Sequence, residues 1–154
     1  MKKMLALFLT VVLAFSFAAC SSGTAKEVNL EEVRTKIVDD LAISDPTLLS
    51  STDLLDLYGI QEADVKQSAC FVTMSGIFPD EALMVEAVDS AAAQRIQEKM
   101  ENRLKEVKNQ SQSYDAENYA LAQKCTVETN GNYIALFLSA KYEDMQTIYH
   151  SYFA

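Results

Sequence analysis

The sequence predicts an α+β fold: a four-stranded antiparallel sheet from two hairpins, each followed by a helix, with an N-terminal helical segment packed on one face. Three observations carry this expectation. Upstream of Gln67 apolar residues recur at helical spacing, and from Gln67 onward short β-forming runs take over. Turn chemistry at Ser75-Gly76-Ile77-Phe78-Pro79-Asp80 and at Asn130-Gly131 divides those runs into two pairs. A helical stripe then follows the second run of each pair.

The chain begins with a different kind of segment. Lys2 and Lys3 precede an apolar run, Met4 to Ala19, broken only by Thr10 and Ser16. This is the anatomy of a secretory signal peptide, and it is short for a spanning helix, which needs ~20 apolar residues. Its end, Phe17-Ala18-Ala19-Cys20, resembles the lipobox of bacterial lipoproteins, although leucine is commoner than phenylalanine three residues before the cysteine. The resemblance implies cleavage before Cys20, a diacylglyceryl group on its thiol, and acyl chains such as palmitate holding the new N-terminus in the membrane. A freely secreted protein and an uncleaved anchor are the alternatives. The expected division is therefore a signal peptide over 1–19, a lipidated cysteine and tether over 20–27, and a single domain over 28–154. Ser21 to Lys26 is small and polar, and six extended residues reach only ~20 Å, which keeps the domain close to the surface.

The full chain has 13 Lys+Arg against 22 Asp+Glu; with Lys2 and Lys3 removed, 11 face 22, a net charge of −11. Such acidity argues against nucleic acid, whose phosphates call for a basic footprint. It also argues against a basic amphipathic helix lying on anionic lipid, so the lipid on Cys20 is the expected membrane attachment. Cys70 and Cys125 remain. Export permits a disulfide, but their apolar and β-forming neighbours suit two buried thiols better. No C-x-x-C pair is present.

In order, Asn29 is the expected cap of a first helix, with Glu32 three residues on and Leu30, Val33, Ile37 and Leu41 as its buried stripe. Asp45-Pro46 closes that element and can open the next. Ser51-Thr52-Asp53 offers a cap before a short helix, which Gly59 stops in the left-handed region. Ala69 to Met74 and Ala82 to Val88 are the first strand pair. Leu83, Val85 and Ala87 point one way, while Met84, Glu86 and Val88 point the other. Asp89 or Ser90 caps the longest helix, to about Gln110, with Ala92, Ile96, Met100, Leu104 and Val107 inside. Tyr114 to Lys124 reads as a short helix. Cys125 to Thr129 and Tyr133 to Leu138 form the second strand pair across a type I′ turn at Asn130-Gly131, and about Glu143 to Tyr152 is a last helix. Sliding Ile96 onto Ile148 brings Val85 onto Phe137, so the second half echoes the first in layout.

The search for chemistry finds no Gly-x-Ser-x-Gly elbow, no phosphate cradle among four single glycines (Gly23, Gly59, Gly76, Gly131), and one histidine, His150, which reads as a surface residue. Cysteine–histidine chemistry would require Cys70 or Cys125 to face His150 in an open pocket. Asp53, Asp56 and Asp64 lack the spacing of a calcium loop. No metal and no cofactor are expected. Six of seven tyrosines lie from Tyr114 onward. Tyr149, Tyr152 and Phe153 are the candidate exposed interaction patch; the other reading is that their rings cover the sheet while the hydroxyls reach water.

Asp56-Leu57-Tyr58-Gly59-Ile60, Ser75-Gly76, the Glu86-x-Val88-Asp89 junction and Gly131-Asn132-Tyr133, behind a lipoprotein signal and a capped helix, follow a familiar order. It resembles the small Gram-positive lipoproteins of the domain-of-unknown-function 4358 family. The resemblance implies a cell-surface lipoprotein and carries no catalytic residue with it. The expected function is that of a membrane-anchored extracytoplasmic binding or protein-interaction module of the cell envelope, with an envelope protein as partner and no enzymatic activity. The alternative is a small surface enzyme with a site of unfamiliar design.

Overall fold

Two strands are buried along their whole length, Glu81–Ala87 and Tyr133–Leu138, and the other elements are laid out around them. The computed structural model describes residues 27–74 and 79–154. The expected signal peptide, Cys20, the tether as far as Lys26, and Ser75 to Phe78 of the first turn lie outside the described residues. The order is α1 (Leu30–Asp40), β1 (Thr47–Leu48), α2 (Ser51–Tyr58), a 3-10 turn (Glu62–Asp64), β2 (Val65–Ser68), β3 (Phe71–Val72), β4 (Glu81–Ala87), α3 (Ser90–Gln112), α4 (Ala116–Lys124), β5 (Val127–Asn130), β6 (Tyr133–Leu138) and α5 (Tyr142–Ser151).

The α+β class holds, and every strand pairing is antiparallel, in the order β1-β3-β4-β6-β5 with β2 also on β4. The sheet has six strands rather than the expected four, and the difference lies upstream of β4. The strand expected from Ala69 starts at Val65 and breaks at Ala69-Cys70, giving β2 and β3 on one partner. The Ala69 N–H still donates to the Met84 carbonyl across the break, at 2.9 Å. Thr47-Leu48, just after Pro46, joins the free edge of β3 instead of opening a helix. That helix begins later because Ser50 and Asp53 form a reciprocal capping box there.

The helices occupy both faces of the sheet, and the N-terminal helical segment expected on one face is split between them, α2 on one and α1 on the other. On one face Ile96, Met100 and Leu104 of α3 and Leu54 of α2 meet Leu83, Val85, Ile134 and Leu136. On the other, Leu30, Val33 and Ile37 of α1 and Met145 and Tyr149 of α5 meet Ala82, Met84, Ala135 and Phe137. The cause is in β4 and β6 themselves. Between Glu81 and Glu86 both alternating sets of side chains are apolar, so leaving either face in water would expose Val, Leu, Ile, Met or Phe side chains worth ~1.5–3 kcal/mol each when buried. The two hairpin–helix halves therefore share a layout but send α3 and α5 to opposite sides.

Local signals act largely as expected. Asn29 Oδ1 accepts from the N–H groups of Glu31 and Glu32, Asp89 Oδ1 accepts from Ala92 at 2.8 Å, and Gly59 ends α2 at φ 70°. The second hairpin turns on Gly131-Asn132, between the paired Asn130 and Tyr133. Only Gly131 has positive φ there, 60°, whereas a type I′ turn needs it at both central residues. Cys125 caps α4 rather than starting a strand.

Candidate functional site

Polar residues inside this molecule collect at the two ends of β4. At the Glu86 end they form a clamp on the start of the domain. Gln67 Nε2 donates to Glu86 Oε2 at 2.6 Å and to the Val28 carbonyl at 2.8 Å, and Gln67 Oε1 accepts from the Leu30 N–H at 3.1 Å. Lys66 Nζ lies 2.8 Å from Glu86 Oε1 and 3.4 Å from Glu27 Oε1. The Val28 N–H donates to the Tyr133 hydroxyl at 3.0 Å. Residues 27–30 are thus fastened to β2 and β6, and Glu86 of β4 braces the two β2 side chains that hold them.

The Glu81 end is different, because its polar groups face a cavity. The Glu81 side chain is 7% exposed and pairs with Arg103 of α3. Arg103 Nε donates to Glu81 Oε1 and Oε2 at 3.0 and 3.2 Å, and Nη2 donates to Oε2 at 2.7 Å. The guanidinium carbon lies 5.9 Å from the centre of the Tyr58 ring, within cation–π range. Hydrogen bonding to Glu81 raises the Arg103 pKa. Burial, and then the nearby Glu81 charge, pushes the Tyr58 hydroxyl up. A groove of about 300 Å³ opens over this pair. Pro79, Val107 and Leu138 give it an apolar wall, while Gln110, Asp115 and Asn118, where α3 hands over to α4, give it a polar rim. Next to it Asp80 is fixed: its N–H donates to Thr73 Oγ1 at 2.8 Å, and Ser139 Oγ donates to its carboxylate.

Other concavities are built differently. One of about 280 Å³ lies between Gly59 and α3 beside the Asp64–Arg95 pair. Another of about 390 Å³ runs between α3 and α4, edged by Lys105, Lys108 and Cys125. Neither has a carboxylate as deeply set as Glu81 beneath a guanidinium, so we take the Glu81–Arg103 groove as the candidate site. It can hold a ligand by charge-assisted hydrogen bonds on one side and apolar contact on the other.

The aromatic residues singled out in the sequence do not form an exposed patch. Tyr149 is buried and Tyr152 and Phe153 are half-buried. Helical spacing lays Tyr149 and Phe153 together over β6: their ring centres are 4.8 Å apart, with Phe153 5.1 Å from Tyr133 and Tyr149 5.7 Å from Phe137. The Tyr149 hydroxyl does not reach water either; it is buried with no partner among the described residues. The exposed large apolar side chains include Leu48, Leu55 and Leu57, on β1 and α2. His150 is exposed and lies 2.5 Å from Glu128, whereas Cys70 and Cys125 are buried free thiols. Burial pushes the Cys70 thiol up to about 12, and raises Cys125 as well. Among the described residues no group of three or more His, Cys, Asp or Glu is placed to hold a metal, and no helix is long and apolar enough to cross a membrane.

Glu81 and Arg103 were missed in the sequence, although each leaves a trace there. Glu81 abuts the apolar run that starts at Ala82, and Arg103 lies three residues after Met100 and four before Val107, next to the buried stripe. No curated protein and no solved structure matches the chain. The model of the domain of unknown function DUF4358 matches residues 39–139, which include every residue lining the groove, and the chain belongs to the DUF4358 family.

Proposed function

We propose that this protein is a lipid-anchored extracytoplasmic lipoprotein whose domain is a binding or protein-interaction module of the cell envelope, rather than an enzyme. The anchor rests on the lipobox-like Phe17-Ala18-Ala19-Cys20 and the short polar tether behind it. The observation that carries the binding role is the position of the groove relative to that tether. Residues 27–30 are clamped at the Glu86 end of β4, while the groove opens at the Glu81 end. An anchor at Cys20 therefore leaves the groove on the side away from the bilayer, open to the envelope.

The test is expression of the full-length protein with a labelled fatty acid, followed by membrane fractionation and crosslinking of whole cells, beside a Cys20→Ala version. The reading expects label and membrane association that disappear with Cys20, and a protein partner recovered only with the anchored form. Label that persists in Cys20→Ala contradicts the anchor; an anchored domain recovered alone contradicts a stable complex.

A further inference from the structure

Arg103 is only partly used. A guanidinium has five N–H donors, and the bonds to Glu81 involve Nε and Nη2. Nη1 has no hydrogen-bond partner among the described residues, on a side chain that is 30% exposed and lines the groove. Glu81 holds the Nε–Nη2 edge and Tyr58 lies near the guanidinium, so the unused donors are fixed in direction before any ligand arrives. Pre-orientation of this kind lowers the ordering cost of binding. The Glu81–Arg103 pair is neutral as a unit. Asp115, the other charge on the rim, caps α4, with Oδ1 and Oδ2 accepting from the Asn118 N–H and side-chain amide at 3.0 and 2.6 Å, and the positive end of the helix dipole offsets it. The apolar wall of Val107, Leu138 and Pro79 borders the same space.

From this geometry we propose that the groove binds an α-carboxylate adjoining an apolar side chain, with the carboxylate on Arg103 Nη1 and the side chain against Val107 and Leu138. The volume, about 300 Å³, is at the small end of the ~300–1,000 Å³ range of ligand pockets, which fits one such residue. Two sources share this chemistry: a free amino acid and the C-terminus of a peptide. The proposal rests on the reading of the groove as a binding site and narrows it to a ligand class.

The experiment is calorimetric titration of the full-length protein in nonionic detergent with N-acetyl-leucine, leucine, the peptide Ala-Ala-Leu, and leucinamide. Carboxylate ligands are expected to bind, and leucinamide to bind about tenfold more weakly or worse, since a charge-assisted hydrogen bond is lost. Preference for Ala-Ala-Leu identifies a peptide end, preference for leucine a free amino acid, and both support the proposal. Arg103→Lys keeps a charge against Glu81 but loses the planar fork, and it should weaken carboxylate binding by about tenfold. Val107→Ala, which shortens the apolar wall without placing a new charge beside Arg103, should weaken it as well. Leucinamide binding as well as N-acetyl-leucine, or carboxylate binding indifferent to both variants, overturns the ligand class while leaving a binding module standing. Absence of binding by all four also overturns it, and the recovery of a partner from cells judges the broader reading separately.

Discussion

Glu81 and Glu86 stand at opposite ends of β4, five residues apart, so their side chains leave opposite faces of the sheet about 17 Å apart at ~3.4 Å per residue. Each is buried and each meets a different cation: Arg103 across from α3 and Lys66 on β2. One carboxylate sits under the groove and the other belongs to the clamp on residues 27–30. Their separation puts the clamp on residues 27–30 and the groove at opposite ends of one strand.

Breaking the pair under the groove should be costly. Arg103→Leu leaves Glu81 buried without its cation, and a loss of about 3–5 kcal/mol in urea unfolding is expected for an orphaned buried charge. Replacing both, Glu81→Leu with Arg103→Leu, should recover most of that loss. A double variant as unstable as the single one would show that packing, not charge, sets the cost.

Tyr149 gives the opposite sign. Its hydroxyl is buried without a partner among the described residues, and an unsatisfied buried group costs ~1–3 kcal/mol. Tyr149→Phe should therefore be neutral or stabilising by about 1 kcal/mol. A thermal melt showing clear destabilisation would mean that the hydroxyl has a partner in solution.

Alkaline pH should unfold the domain. Burial raises Cys70 to about 12 and pushes the Tyr58 and Tyr149 hydroxyls up, so the fold favours their neutral forms. In the unfolded chain the thiol ionises near ~8.5 and tyrosine near ~10. The stability held in these groups is whole below those values and falls as pH rises towards the folded-state values. Tyrosine absorbance followed together with circular dichroism should show these two residues ionising only as structure is lost.

The clamp makes a local prediction. Tyr133→Phe strands the Val28 N–H, which donates to the Tyr133 hydroxyl, and should cost about 1–3 kcal/mol. Hydrogen exchange should quicken first at residues 28–30. Uniform quickening across the sheet would contradict a local role.

The parts of this fold that were legible in the sequence are those written within a few residues. Asn29 with Glu32, Asp89, Gly59 and the strand pair around Gly131 each act through neighbours in the chain. What was missed depends on partners far along it. Thr47-Leu48 becomes a strand only because Phe71-Val72 offers an edge. Tyr149 reads in the sequence either as part of an exposed patch or as a ring covering the sheet, and only β6, with Phe137 and Tyr133 beneath it, decides for the second. Leu83, Val85 and Ala87 are legible as one apolar set of β4, but the opposite set carries Glu86, and its burial under a second layer of helices depends on α1 and α5 far along the chain. Glu81 and Arg103 are 22 residues apart; no local pattern pairs them, although a charge bordering an apolar strand and another beside a buried helical stripe mark both positions.

The proposed anchor at Cys20 would leave the groove facing away from the membrane, a placement that can be read as distance from the bilayer. The full-length protein, reconstituted in vesicles with nitroxide lipids, would carry a fluorophore on Asn130→Cys, beside the clamp, or on Gln110→Cys, on the groove rim. Both positions are exposed while Cys70 and Cys125 are buried, and lipid on Cys20 would block the third thiol, so labelling of the anchored form is selective. Stronger quenching is expected at position 130 than at 110. Equal quenching, or stronger quenching at 110, would contradict it.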